Sequence, residues 1–286
     1  MTVLTAISPD SSPLTRWLRR AALVTASARP VIGLALGGGA ARGFAHIGVL
    51  QVLQENGIKP DLVAGTSAGS LVAALYASGM DARKLEQVAL KMDESALTDW
   101  SFPLRGLLRG DALGDFVRKE TGGLTIQDMR VPLGIVATNV RTGDPILFRR
   151  GDTATAVRAS SAVPAIFSPV TISGQEYVDG GLTSPVPVQF AQKMGATFVI
   201  AVDISSPPNP DTRTDPFSLL LQTTSIMTKS INRWELAAAD VTLRPAIDTL
   251  SSVDFGARAQ AIAAGRKAAL AALPTLRAKL AAAGWR

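Results

Sequence analysis

The sequence predicts a three-layer α/β/α domain built on a mainly parallel sheet, and three observations predict it. An apolar run, Val31-Ile32-Gly33-Leu34-Ala35-Leu36, ends in Gly37-Gly38-Gly39. A second, shorter run, Asp61-Leu62-Val63-Ala64, ends in Gly65-Thr66-Ser67-Ala68-Gly69. From there strand-length apolar runs alternate with helical patterns along the chain, as βαβ units require.

The first run fits a buried parallel strand and a tight turn. Residues 41–56 read as a helix ended by Asn56-Gly57. After the second strand, the Gly65–Gly69 turn opens a helix through Tyr76 that stops near Gly79. Asp81 is placed to cap a third helix, Arg83 to Met92. The stretch 97–126 breaks the pattern. Trp100, Phe102, Leu104, Leu107 and Leu108 cluster with Arg105 and Arg109, and no acid falls between Trp100 and Gly110. That composition suits an amphipathic cover over the sheet and a membrane-facing lid equally. Strands follow at 132–138, 146–149, 176–179 and 196–202, then a turn-rich loop over 204–216, a helix over 217–239 and a strand over 241–246. An Ala-rich helix over 256–282 is expected to break at Pro274. No repeat of 20–50 residues is present. The expected organisation is a flexible basic arm over 1–30, one α/β domain over 31–246, and a helical segment over 247–286 packed on it.

Composition narrows the chemistry. With 47% hydrophobic and 18% charged residues over 286 positions, the chain can bury a core and is not of the disordered class. It has no cysteine, which removes disulfides, thiolate catalysis, zinc–thiolate sites and iron–sulfur clusters. His46 is the only histidine, so a multi-histidine metal site is excluded and only an all-carboxylate site for a hard cation survives. No metal and no organic cofactor is expected.

The net charge of +6 favours anionic partners. No Lys/Arg block of the nucleic-acid type occurs, and aromatics at 5% leave little to stack bases on, so lipid or small-molecule anions are favoured over nucleic acid. No apolar stretch reaches the ~18–20 residues of a membrane helix. The order Arg16, Arg19, Arg20, Ala21-Ala22-Leu23-Val24 imitates a signal peptide, but its apolar part is short and Arg29 follows soon after. The arm, with Trp17 and Leu18 among its arginines, is expected to touch an anionic membrane, and the protein to be cytoplasmic or peripheral at the inner face of the membrane.

Three turns carry the chemistry. In Gly65-Thr66-Ser67-Ala68-Gly69, a serine on a sharp strand-to-helix turn holds its hydroxyl clear of the backbone, and the flanking glycines let that turn form. By itself the pattern fits a structural turn as well as a nucleophile. In Gly37-Gly38-Gly39-Ala40-Ala41-Arg42-Gly43, small residues leave amides bare for a phosphate or an oxyanion. A right-handed crossover returns the chain to the same sheet edge, so both turns meet there and bare amides converge on a serine. Nucleotide loops fit poorly: no Gly-Lys-Ser/Thr follows, and Arg42 stands where a dinucleotide loop needs its last glycine. A serine nucleophile needs a base. His46 sits one turn into the first helix and reads as a packed residue under the loop more readily than as a base. Asp179, at a strand end before Gly180-Gly181, is the better candidate, although Asp-Gly also marks ordinary turns.

Together these turns resemble the patatin-like phospholipase family, in its bacterial form, over roughly Val31 to Val202. The resemblance rests on the Gly-rich loop with Arg42-Gly43, the Gly65–Gly69 serine turn, the Asp179-Gly180 pair, and the segment Ala159-Ser160-Ser161-Ala162-Val163-Pro164-Ala165-Ile166-Phe167-Ser168-Pro169. It implies a patatin-like fold and hydrolysis of a phospholipid or other acyl ester by a Ser67–Asp179 dyad without histidine. It implies an oxyanion hole at Gly38, Gly39 and Ala40, with Arg42 and Gly43 shaping the loop. The sequence departs from the pattern at Ala40, where the third loop glycine is expected. A lipid- or acyl-binding protein without hydrolysis and a nucleotide module remain as alternatives, and the oligomeric state is left open.

Overall fold

In the computed structural model, residues 29–92, 109–205, 216–250 and 254–285 are described. The basic arm, except for positions 29 and 30, lies outside them. So do the Trp100–Leu108 cluster and most of the 204–216 loop.

Strands β1 (Ile32–Leu36), β2 (Leu62–Thr66), β3 (Leu133–Asn139), β4 (Pro145–Phe148), β5 (Val170–Ile172), β6 (Gln175–Asp179), β7 (Phe198–Val202) and β8 (Val241–Leu243) form one sheet. The order is β5-β6-β3-β2-β1-β7-β8, with β4 also paired to β3. The five strands β3, β2, β1, β7 and β8 run parallel, while β4, β5 and β6 join antiparallel at the β3 margin. Eight helices among the described residues flank it: α1 (Ala45–Glu55), α2 (Ala68–Ala77), α3 (Ala82–Lys91), α4 (Asp111–Glu120), α5 (Thr153–Ser160), α6 (Val188–Lys193), α7 (Pro216–Ala237) and α8 (Arg258–Ala282).

The period of two along each strand sorts side chains to two cores. Ile32, Leu34 and Leu36 of β1, with Phe198, Ile200 and Val202 of β7, pack under α1, α2 and α8. Ala35, Leu62, Ala64, Val199 and Ala201 face the opposite way, onto Val186, Val188, Ala191 and Leu236 of the α6–α7 side. Helices therefore cover both faces, and the expected three layers are present.

Several elements differ from expectation. The first helix begins as a 3-10 turn over Ala40–Phe44, because Ala40 is left-handed with φ 49°. Asp81 caps α3 as expected, its side chain accepting from the Lys84 N–H at 2.7 Å. Helices α4, α5 and α6 and strand β5 were not foreseen; each is ten residues or fewer and none carries a long periodic pattern. The expected break at Pro274 is absent, and α8 runs through it. Proline removes the bond to the carbonyl four residues back, but Leu270 is half exposed, so water can take that carbonyl. Ala269 and Leu276 stay buried on either side of the proline and hold the helix to the body.

Helices α1 and α8 cross at glycines. A Cβ on Gly48 would overlap the Ile262 carbonyl oxygen, and one on Gly265 the Ala45 carbonyl oxygen. Gly265→Ala gains ~1 kcal/mol of helix propensity but forces two backbones apart, an overpacking cost of ~3 kcal/mol or more. A net loss of ~2 kcal/mol is expected in urea denaturation; a variant as stable as wild type would show that the crossing can slide.

Candidate active site

Register places the site. Thr66 of β2 pairs with Val136 of β3, and Asp179 of β6 pairs with the next residue, Ala137. Strand β4 pairs β3 over Ile135–Thr138 and so occupies its other side, which puts β2 and β6 on the same side, end to end. Parallel β2 and antiparallel β6 therefore bring their carboxyl ends together: Ser67 follows one and Asp179 ends the other. Gly180 lets the two ends close, since a Cβ there would overlap the Val136 carbonyl oxygen and stand 3.1 Å from Cγ2 of Thr66.

Ser67 has φ 52° and ψ −126°, a strained conformation for a residue with a side chain, of order 1–3 kcal/mol. Named contacts hold it. Its N–H donates to Oγ of Ser160 at 2.8 Å, and that hydroxyl donates to the Val136 carbonyl at 2.6 Å. Its carbonyl accepts from the Ser70 N–H and hydroxyl at 2.8 and 2.7 Å. Gly65 and Gly69 let α2 start tight against the strands: a Cβ on Gly69 would overlap the Leu36 carbonyl oxygen, and one on Gly65 would stand 2.5 Å from the Gly69 oxygen.

Asp179 is 6% exposed. Burial raises its pKa from 3.8 to about 6, against the opposing pull of hydrogen bonds from the Ser67 side chain and the Gly181 N–H, the latter 2.6 Å from Oδ1. The Thr138 hydroxyl donates to its carbonyl at 2.9 Å. The carboxylate is thus a stronger base than an exposed aspartate, yet still ionised at neutral pH.

The Gly-rich loop divides its amides. The Gly37 N–H donates to Val202 and the Gly38 N–H to Pro185, both at 3.0 Å. The Gly38 N–H, expected as an oxyanion donor, is thus already engaged by a backbone carbonyl. What Gly38 contributes is clearance, because a Cβ there would stand 3.1 Å from that of Ser67. The Gly39 and Ala40 N–H groups have no acceptor among the described residues. Arg42 fixes the peptide between them: its own N–H and its Nε both donate to the Gly39 carbonyl at 3.2 Å. In a trans peptide that turns the Ala40 N–H the opposite way. Burial holds the Arg42 guanidinium below its ordinary pKa, countered by Asp248 and Asp203. Gly43 brings the loop against α2, since a Cβ there would stand 2.8 Å from that of Ala68. Ala40 thus adopts the left-handed conformation that suits glycine.

His46 is fully buried beneath this loop, with Nε2 donating to the Gly37 carbonyl at 2.8 Å. Its Nδ1 has no partner among the described residues, so it is not bonded to Ser67. Burial lowers its pKa to about 4, and the ring is neutral.

A cavity of about 150 Å³ opens at Ser67. Ala68, Leu71, Val72 and Leu75 of α2 line one wall, with Leu85, Val88 and Ala89 of α3 and Leu113 and Phe116 of α4 opposite. The α2 stripe follows the helix period and starts beside Ser67. Sequence reasoning missed Ser160 as a support of Ser67. Its segment entered only through the resemblance, and no local pattern marks a hydroxyl that acts on a backbone 93 residues away. Among the described residues no group of three or more His, Asp or Glu side chains could hold a metal ion, and no helix is long and apolar enough to cross a membrane.

The sequence pattern of patatin-like phospholipases matches residues 34–191. An NTE family protein of Mycobacterium tuberculosis is 36% identical over 188 residues, covering 64% of this chain and 51% of that protein. Lysophospholipase NTE1 of Debaryomyces hansenii is 30% identical over 256 residues, covering 78% and 17%. The chain thus spans about half or less of the length of the curated relatives it matches. Among solved structures, VipD from Legionella pneumophila superposes with a TM-score of 0.61 at 16% identity, covering 87% of this chain and 67% of that one. The matched pattern spans both turns and the Asp179 strand in chain order, and the chain belongs to the patatin-like phospholipase family.

Proposed function

We propose that this protein is a serine acyl hydrolase that cleaves a lipid acyl ester, of the phospholipase or lysophospholipase type, through Ser67 and Asp179. Ser67 Oγ attacks the ester carbonyl and its proton passes to the Asp179 carboxylate. The Gly39 and Ala40 N–H groups receive the negative charge on the carbonyl oxygen. The C–O bond breaks, the alcohol or lyso-lipid leaves with the proton from Asp179, and an acyl-Ser67 remains. Water, deprotonated by Asp179, hydrolyses it and restores both residues. A carboxylate is a weak base for an alcohol, and the burial that lifts Asp179 to about 6 narrows that gap.

The observation that carries this reading is the apolar cavity at Ser67, which suits the acyl chain of an ester substrate. A fluorophosphonate probe tests it. Wild type is expected to be labelled at Ser67 and to turn over lipid and p-nitrophenyl esters, while Ser67→Ala does neither. Lipid binding with no labelling of wild type would establish the non-hydrolytic alternative.

His46 is given no chemical step, because its only ring N–H is committed to Gly37 and its pKa is about 4. His46→Gln is expected to form acyl-enzyme within ~10-fold of the wild-type rate if circular dichroism shows it folded; a drop of ~10²–10⁴ would make it the base.

A further inference from the structure

Helix α7 carries its polarity in the reverse of the usual sense. Leu219, Leu220, Ile226, Met227 and Trp234 are 44–75% exposed, whereas Thr224, Ser225 and Thr228 are half-buried. A surface helix ordinarily does the opposite. The apolar residues recur at intervals of seven, Leu219 with Ile226 and Leu220 with Met227 and Trp234, and a heptad drifts only ~20° on a straight helix. They form one stripe ~22 Å long from residue 219 to 234, interrupted by the exposed hydroxyls of Thr223 and Ser230. The exposed charges beside it are Lys229 and Arg233, and no Asp or Glu occurs from Pro216 to Trp234. Among the described residues neither cation is in an ion pair. Two acids line a polar cavity with them: Asp203, which is held by Arg244 at 3.4 Å, and Asp248, and neither is ion-paired to Lys229 or Arg233.

The base of this helix is fixed near the candidate site. Glu235 accepts from the Ser184 hydroxyl at 2.6 Å and from the Gln189 N–H at 3.2 Å, and α7 packs on the turn that follows Asp179.

We infer that the exposed face of α7 is a docking surface for an anionic lipid bilayer. Leu219, Leu220, Ile226, Met227 and Trp234 enter the interface, and Lys229 and Arg233 meet the phosphates. The charge pattern selects this occupant. A seam between two copies of α7 would bring four cations together with no exposed acid on either helix to meet them, since Glu235 is buried, whereas lipid phosphates supply the missing charge, as the chain's +6 also favours. The inference does not rest on the hydrolytic reading. It is tested in the full chain carrying Ser67→Ala, so that vesicle binding is read without turnover.

The measurement is co-sedimentation with phosphatidylcholine vesicles, with and without ~30% phosphatidylglycerol, in ~0.1 M salt. Stronger binding to the anionic vesicles is expected. Lys229→Ala and Arg233→Ala should each weaken it ~5-fold, the equivalent of ~1 kcal/mol per basic residue. Met227→Ser with Trp234→Ser should weaken binding to both kinds of vesicle. These side chains are exposed, so the fold should persist; circular dichroism and, with Ser67 restored, unchanged turnover of a soluble short ester check this. The segments 1–28 and 93–108 are present in every variant, so any loss is due to α7. Variants that bind anionic vesicles as well as the parent would overturn the inference, as would a parent that binds neither vesicle. It also falls if Met227→Ser with Trp234→Ser dissociates a dimer in light scattering while vesicle binding is unchanged; the face would then belong to a second copy.

Discussion

Ser67→Ala is expected to lower ester turnover by ~10⁴-fold or more and Asp179→Asn by ~10²–10⁴-fold, each with the fold intact. The double variant should be no slower than the worse single one, because either loss disables the same unit. Asparagine keeps an oxygen for the Gly181 N–H, so geometry is conserved while the proton acceptor is lost. Burst and steady-state kinetics with a p-nitrophenyl ester and a phospholipid would read the effect. Near-wild-type turnover in Asp179→Asn would remove the carboxylate from the reaction. Additive losses would mean that the two residues act in separate steps.

The second large effect is on pH dependence, where Asp179 alone should move activity and stability in opposite directions. With Asp179 at about 6, turnover should rise ~10-fold per pH unit below that value and level off above it, since in the proposed mechanism only the ionised carboxylate accepts the serine proton. Stability runs the other way. An unfolded aspartate ionises near 3.8, so between pH ~4 and ~6 the folded protein keeps a proton the unfolded chain has released, and stability falls as pH rises. The cost is up to ~3 kcal/mol above pH 6. His46 contributes with the opposite sign. Its pKa falls from 6.5 unfolded to about 4 folded, so its contribution is full above pH ~6.5 and is lost as pH falls toward 4. The two nearly offset each other in wild type across pH 4–6. Asp179→Asn should expose the difference: it is more stable than wild type at pH 8 by up to ~3 kcal/mol, and its stability falls steeply on acidification where that of wild type is flat. Urea midpoints from pH 4 to 8 measure both. An Asp179→Asn variant no more stable than wild type at pH 8 would mean that the carboxylate carries no burial cost.

What was legible in the sequence was whatever a local pattern encodes. Apolar runs ending in glycine marked β1 and β2, and Gly65, Gly69 and Gly180 stood where the backbone packs too closely for a Cβ. Three consecutive small residues could not reveal that the Gly38 amide is spent on Pro185, because that partner arrives from 147 residues further along. The direction of β6 was equally hidden: alternation gives a strand its faces but not its sense, and the tight Ser173-Gly174 turn sets β6 against β5 only, while its sense on β3 is fixed by a long-range pairing. The helical period over 217–239 was read correctly, but which side of it faces water was decided by the body it packs on.

The end-to-end meeting of β2 and β6 has a consequence for insertions. Neither strand pairs with the other; both read their position from β3, which supplies no reacting side chain, at the adjacent residues Val136 and Ala137. Extra residues at the tip of the β3–β4 hairpin near Gly143, or in the β5–β6 turn at Gly174, should therefore leave Ser67 and Asp179 where they are, because the pairing of β6 on β3 and not the length of chain between them sets the separation. One residue added inside β3 between Val136 and Ala137 would instead push the two apart by a full strand step, ~3.3 Å, and turn the far half of β3 over.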